Sequence, residues 1–134
     1  MPEFLGIDHV QLCMPAGAAD AARAFYVGVL GMAEIDKPTT LNQSVPWFAA
    51  GGVELHFTVE ADFRAARAAH PGIRVSDVAA VAERCRSAGY EPRFDTRYPG
   101  RVRFYVADPF GNRLEFLYVV DAARATHSHG ASTA

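Results

Sequence analysis

Long apolar runs are missing from this 134-residue chain. No stretch approaches the roughly 20 consecutive apolar residues that a membrane-spanning helix needs, so no membrane partner is expected. An excess of positive charge is missing too: 13 Lys and Arg stand against 15 Asp and Glu, a net −2. A nucleic-acid partner needs a concentrated basic surface to meet phosphates, so none is expected. Cysteine is scarce. Cys13 and Cys85 could form a disulfide, but nothing demands one, and they read as reduced thiols. The start, Met1-Pro2-Glu3-Phe4, has neither the basic nor the apolar region of a secretion signal, so a cytoplasmic location is expected. What remains is half hydrophobic and about a fifth charged, an ordinary globular balance. The length suits one compact domain, or two small modules that share a core.

Hydrophobic periodicity supplies the elements. Residues 4–14 alternate as a strand, with Val10, Leu12 and Met14 on one face and Ile7, His9, Gln11 and Cys13 on the other. Pro15, Gly17 and Asp20 open a helix with the stripe Ala22, Phe25, Tyr26, Val29 and Leu30, and Gly31 is placed to end it. Strands are predicted near 33–36, 45–49 and 53–59, with Gly51-Gly52 as the turn between the last two. The Ala- and Arg-rich segment 60–69 reads as a linking helix. The pattern then restarts: a strand over 70–75, and a helix capped by Ser76 or Asp77, striped by Val78, Val81, Ala82 and Cys85 and closed by Gly89. Strands follow at 91–95, 101–107 and 113–119, with Asp108–Asn112 as the last turn. Residues 121–134 are small and polar and are expected to be disordered.

The order β-α-β-β-β thus occurs twice, over 1–59 and 70–120. Two anchors support the repeat. His9 and His70 lie 61 residues apart, and so do Glu54 and Glu115; each histidine is followed 45 residues later by a glutamate. Strand parity is a second argument. If the apolar faces Val10/Leu12/Met14, Val53/Leu55/Phe57, Ile73/Val75 and Leu114/Phe116 lie under helices, the opposite faces carry His9, Glu54, His56, His70 and Glu115. Carboxylates gathered there would repel without a counter-charge, which a divalent cation supplies. Mixed nitrogen and oxygen ligands suit zinc, nickel, cobalt, manganese or ferrous iron rather than calcium. Four protein ligands leave two octahedral positions for water or for a chelating substrate. The expected fold class is α+β, with two βαβββ modules forming a curved mixed sheet around a cavity.

The motifs Asp8-His9-Val10, Val53-Glu54-Leu55, His70-Pro-Gly-Ile-Arg-Val75 and Asp108-Pro-Phe-Gly-Asn-Arg-Leu-Glu115-Phe resemble the vicinal oxygen chelate superfamily. That group includes glyoxalase I, bleomycin-binding and fosfomycin-resistance proteins and extradiol dioxygenases. The resemblance runs from about residue 5 to 119. It implies that His9, Glu54, His70 and Glu115 match the four metal ligands of glyoxalase I. It also implies a homodimer, each site taking two ligands from each subunit or two from each module.

By itself a lone strand histidine such as His9 is more often a hydrogen-bonded structural residue than a ligand. Glu54 is the weakest of the four, because some superfamily members use two histidines and one glutamate, and His56 could replace it or contact substrate. Gln11, Arg74, Arg103 and Tyr105 share the polar parity and are candidate substrate contacts, although Arg101 and Arg103 could equally sit at an exposed strand end. Trp47 and Phe48 read as sheet core, with Trp47 a further candidate wall. His127 and His129 read as solvated.

The chemistry the resemblance implies is isomerase or lyase chemistry on a small carbonyl or hydroxy acid substrate. The cation acts as a Lewis acid and Glu115 as general base. Glyoxalase I has a basic residue where this chain has Cys13, and an asparagine where it has Thr58, so glutathione adducts are not the expected substrate. Two alternatives stand beside this reading. One is a metal-free small-molecule (antibiotic-type) binding protein. The other is an extradiol-type dioxygenase, which an engaged Glu54 disfavours.

Overall fold

The computed structural model describes residues 2–120. They divide into two compact units, the boundary falling between Ala65 and Ala66.

The first unit runs β1 (Val10–Met14), α1 (Ala19–Arg23), β2 (Ala33–Ile35), β3 (Trp47–Ala50) and β4 (Val53–Val59). Its sheet has the order β1-β4-β3-β2, with β1 parallel to β4 and the other pairs antiparallel. The second unit repeats this plan with β5 (Gly72–Arg74), α2 (Val78–Ser87), β6 (Arg93–Phe94), β7 (Arg101–Ala107) and β8 (Arg113–Val119), in the order β5-β8-β7-β6. The fold is α+β, two βαβββ modules in two four-stranded mixed sheets, and among the described residues neither sheet closes into a barrel.

The first strand is shorter than its alternation implies. It begins at Val10, and residues 2–9 form no strand. Gly6 adopts φ +147°, off the path of an extended L-residue, and Phe4, Leu5 and Ile7 stand exposed. The first helix is also altered. Ala19–Arg23 is α-helical, and Ala24–Val29 widens into a π-helix in which Leu30 N–H reaches back five residues to Phe25 C=O. Ala22, Phe25 and Tyr26 remain fully buried, while Val29 and Leu30 are only half-buried. Tyr26 stacks on Phe48 with centroids 5.3 Å apart and meets Phe25 and Phe57 edge-on at 5.0 and 5.1 Å. This aromatic cluster is the core of the first unit. Phe48 thus meets the core expectation, whereas its neighbour Trp47 faces the other way.

The linking helix expected over 60–69 is absent; that segment runs as turns and irregular chain. Asp62 takes a left-handed φ of 54°, which interrupts a right-handed helix whatever the alanine content around it. In the second unit α2 starts where Asp77 accepts a hydrogen bond from Ala80 N–H at 3.0 Å, and it buries Val78, Ala82 and Cys85. The last turn is tied by Asp108, whose Oδ1 accepts from Phe110 and Asn112 N–H at 2.8 Å each. Its Oδ2 accepts from Asn112 Nδ2 at 3.0 Å, so β7 and β8 leave the turn in fixed register. Residues 121–134, expected to be disordered, and with them His127 and His129, lie outside the described residues.

Pairing register refines the repeat. Val10 pairs with Leu55, 45 residues on, but Gly72 pairs with Glu115, 43 residues on. Equal histidine-to-glutamate spacing therefore does not mean equal strand register. His70 precedes β5 instead of lying in it. A two-residue offset keeps the side-chain parity, so His70 still projects to the face that carries Glu115.

Candidate functional site

In the first unit, Gln11 and Trp47 are both register partners of His56, one on each neighbouring strand, so the three share a row and a face. Glu54 is two residues before His56 on β4 and has the same parity. His56 is buried, its ring sandwiched between Trp47 (centroids 3.5 Å, planes within 2°) and His9 (3.9 Å, 15°). Its Nε2 lies 2.7 Å from Glu54 Oε2. His9 Nδ1 lies 2.8 Å from Asp8 Oδ2. An imidazole tied to a carboxylate at one nitrogen is oriented by it, and its other nitrogen is set for whatever lies beyond. Gln11 is exposed.

Lys37 braces this stack from the side. Its ammonium lies 5.4 Å from the Trp47 ring and donates to Val45 C=O at 2.8 Å and to Asn42 C=O. Burial pushes the Lys37 pKa down. One side chain thus closes the 37–45 loop and covers the edge of Trp47.

In the second unit Gly72, Glu115, Tyr105 and Arg93 form one row across the sheet. Glu115 is buried and held at both oxygens: Oε1 lies 2.9 Å from His70 Nε2, and Oε2 accepts from Arg103 Nη1 at 3.1 Å. His70 Nδ1 lies 2.8 Å from Ala68 C=O. Both ring nitrogens of His70 therefore face acceptor oxygens. A neutral imidazole that donates from Nδ1 to a carbonyl presents a lone pair at Nε2, and that lone pair would meet a carboxylate oxygen head-on. The contact needs a proton between the two atoms, or a metal ion in its place.

Arg103 also reaches Asp95 through Nη2 at 3.5 Å, and Arg97 binds the same carboxylate. Hydrogen bonds from Arg97, with the charge of Arg103 behind them, hold the Asp95 carboxyl well below the usual carboxylate range. Tyr105 meets His70 edge-on at 5.2 Å and carries Arg113 over its ring at 4.1 Å. Arg74 is exposed, in the row of Leu117 and Arg103.

Of the residues singled out from sequence, the first unit thus brings together His9, His56, Glu54 and Trp47, and the second His70, Glu115, Arg103 and Tyr105. Among the described residues no three His, Cys, Asp or Glu side chains converge as a metal-holding group. The imidazole and carboxylate donors come in pairs, His56–Glu54 and His70–Glu115. Asp8, Lys37 and Asp95 escaped the sequence reading. Asp8 was adjacent to His9 and visible as a possible orienting carboxylate, whereas Lys37 and Asp95 gave no signal, because their partners are brought to them by loop and sheet geometry.

A family model, the Glyoxalase/Bleomycin resistance protein/Dioxygenase superfamily, matches residues 6–116. The chain belongs to this superfamily. Solved relatives place it further. A putative glyoxalase family protein from Bacillus anthracis is 41% identical, with 89% of this chain and 99% of that one covered and a TM-score of 0.84. A lactoylglutathione lyase from Agrobacterium tumefaciens is 22% identical over 87% of this chain and 96% of its own, TM-score 0.63. TnmS3, an antibiotic binding protein from Streptomyces sp. CB03234, is 18% identical over 87% and 99%, TM-score 0.66. The last two share the superfamily's fold with this chain and nothing finer. No curated protein matches. No helix among the described residues is long and apolar enough to cross a membrane.

Proposed function

We propose that this superfamily member is a divalent-metal-dependent protein of glyoxalase type that moves a proton on a small carbonyl or hydroxy acid substrate, with His9, Glu54, His70 and Glu115 as metal ligands. The observation behind the proposal is the His70–Glu115 contact. It brings an imidazole nitrogen and a carboxylate oxygen within 2.9 Å of each other, a donor pair that a divalent ion could share. A bound ion would supply Lewis-acid stabilisation of negative charge developing on substrate oxygen. The chain's own groups would do the rest. Ala68 C=O fixes the Nδ1–H tautomer of His70 and so frees Nε2 as a donor atom. Asp8 does the same for His9. Arg103 holds Oε2 of Glu115, and Oε1, once loosened from the metal, would be the oxygen that takes and returns the proton. The edge of the Trp47–His56–His9 stack would form a wall against substrate. A cytoplasmic homodimer is part of the same proposal, and sedimentation equilibrium tests its stoichiometry.

One observation favours a second reading. Each candidate carboxylate already has a partner within the protein, Glu54 in His56 and Glu115 in Arg103. A metal-free small-molecule binder, of the kind TnmS3's description names, would need no more. Metal analysis by plasma mass spectrometry on untagged protein, with His70→Ala beside it, separates the two. A stoichiometric divalent metal that disappears in the variant supports the metalloprotein. Zinc or nickel would then point to proton transfer, and iron to the extradiol-type alternative. Less than about a tenth of an equivalent, with no uptake on reconstitution, leaves the binding protein.

A further inference from the structure

We propose that Arg101, stacked on Tyr98 in the second unit, is a binding site for an anionic group, a carboxylate or a phosphate. That the anion belongs to the substrate rests on the function proposed above; the anion site itself does not. Strand β7 sends Arg101, Arg103 and Tyr105 to one face, and the terminal nitrogens of Arg103 are engaged there with Glu115 and Asp95. Arg101 is different. Among the described residues it has no carboxylate partner; its Nε, like that of Arg103, is buried with no acceptor, so Arg101 has no charged acceptor at any nitrogen. Its guanidinium instead lies over the Tyr98 ring at 4.4 Å, and Arg103 approaches the same ring at 5.4 Å.

Two guanidinium groups over one ring repel each other, and a buried N–H without an acceptor loses its hydration. Both costs fall away when an anion accepts from the Arg101 fork, because stacking occupies the face of the guanidinium and leaves its in-plane donors available for a bidentate contact. Charge in the cluster points the same way. Arg97, Arg101, Arg103 and Arg113 gather around Asp95, Glu115 and Tyr105, so guanidinium groups outnumber carboxylates there. Arg101 pairs with Val119 and Tyr105 with Glu115, so Arg101 stands four residues, about 13 Å of strand, from the row of the proposed base. A fitting substrate therefore carries its anionic group several bonds away from the carbonyl that reacts.

The test is a nitrogen-15 NMR titration of the arginine Nε–H signals in the full chain. Inorganic phosphate and acetate are added separately, with ionic strength held constant by sodium chloride. The Arg101 signal, identified by its loss in Arg101→Lys, is expected to shift and saturate. Saturation with phosphate alone points to a phosphoryl group, and with acetate alone to a carboxylate. Calorimetry should show roughly tenfold weaker binding in Arg101→Lys, which keeps the charge but loses the fork. Tyr98→Leu, which keeps the arginine and removes its platform, should also weaken binding. No saturation with either anion, or equal affinity in Arg101→Lys and the parent, overturns the site. If Arg101→Lys does not fold, the parent titration and Tyr98→Leu decide. Metal content measured on the same samples separates this site from the proposed function. Saturable anion binding without metal overturns the metal reading alone, and bound metal without anion binding overturns the Arg101 site alone.

Discussion

The two units share one topology but build their polar faces by different means. In the first, a histidine–glutamate pair is held mainly by stacking: Trp47, His56 and His9 lie face to face, and Glu54 remains about a third exposed. In the second, the glutamate pairs with the histidine equivalent to His9 instead and is held by charge, with Glu115 between His70 and Arg103 and Arg103 braced by Asp95. The hydrophobic sides differ as well. The first unit packs four aromatic rings together, Phe25, Tyr26, Phe48 and Phe57, whereas the second has three tilted rings, Phe94, Phe104 and Phe116, of which Phe94 is half-exposed. The strand pairing fixes which residues share a face, and the side chains decide whether the face is held by dispersion or by charge. Repeated architecture does not imply repeated energetics.

The largest expected effect lies in the aromatic core. Phe48→Ala removes a fully buried ring and should cost about 3–5 kcal/mol in urea unfolding. Phe104→Ala in the second unit should cost about 1 kcal/mol less, because Phe104 lacks the stacked and edge-on partners that Phe48 has in Tyr26 and Phe57. Equal losses would show that the aromatic cluster adds nothing beyond area.

The charged faces should differ in the opposite sense. Arg103→Met leaves Glu115 buried beside one partner and should cost roughly 2 kcal/mol, somewhat below the range for fully enclosed pairs. Glu54→Gln, on the stacked face, should cost less than about 1 kcal/mol, because Glu54 is partly solvated and the Trp47–His56 stack survives it. Chemical denaturation of both variants checks the contrast, and a larger loss from Glu54→Gln would reverse it. Asp77→Ala, a cap on α2 remote from either face, should cost about 1 kcal/mol and serves as a reference for a local effect.

The smallest effect concerns pH. The Asp95 carboxyl is held below its usual range in the folded chain, so its contribution is fully present above about pH 4 and is lost as pH falls through its lowered folded value. Asp95→Asn should flatten the decline of the melting temperature on the acid side and leave neutral pH nearly unchanged. An unaltered acid limb would mean that Asp95 is not a brace for Arg103.

Much of the architecture was legible in residue order. Strands β4, β7 and β8 fall where their alternation and turn residues place them, because each is long enough for parity to be read without help. The errors arose where local pattern had no partner. Alternation through Phe4, Leu5 and Ile7 predicted a strand that no neighbouring backbone completes. Alanine content predicted a helix over 60–69, where Asp62 turns left-handed. His9–Glu54 and His70–Glu115 are equally spaced, yet β5 pairs with β8 two residues out of step with β1 on β4. Spacing along the chain counts residues, and register depends on which backbone groups meet.

The sequence by itself determined the α+β repeat, the polar parity that puts His9, Glu54, His56 and Glu115 opposite the apolar faces, and the resemblance that the family match made firm. Those properties follow from side-chain period and from motifs a few residues long. Only the tertiary structure decided that His56 is clasped between Trp47 and His9, that Arg103 is already engaged by Glu115 and Asp95, and that Arg101 is not. The reason is that a side chain's partner in these pairs comes from another strand or loop, and the distance between them is set by backbone pairing that no local stretch of sequence contains.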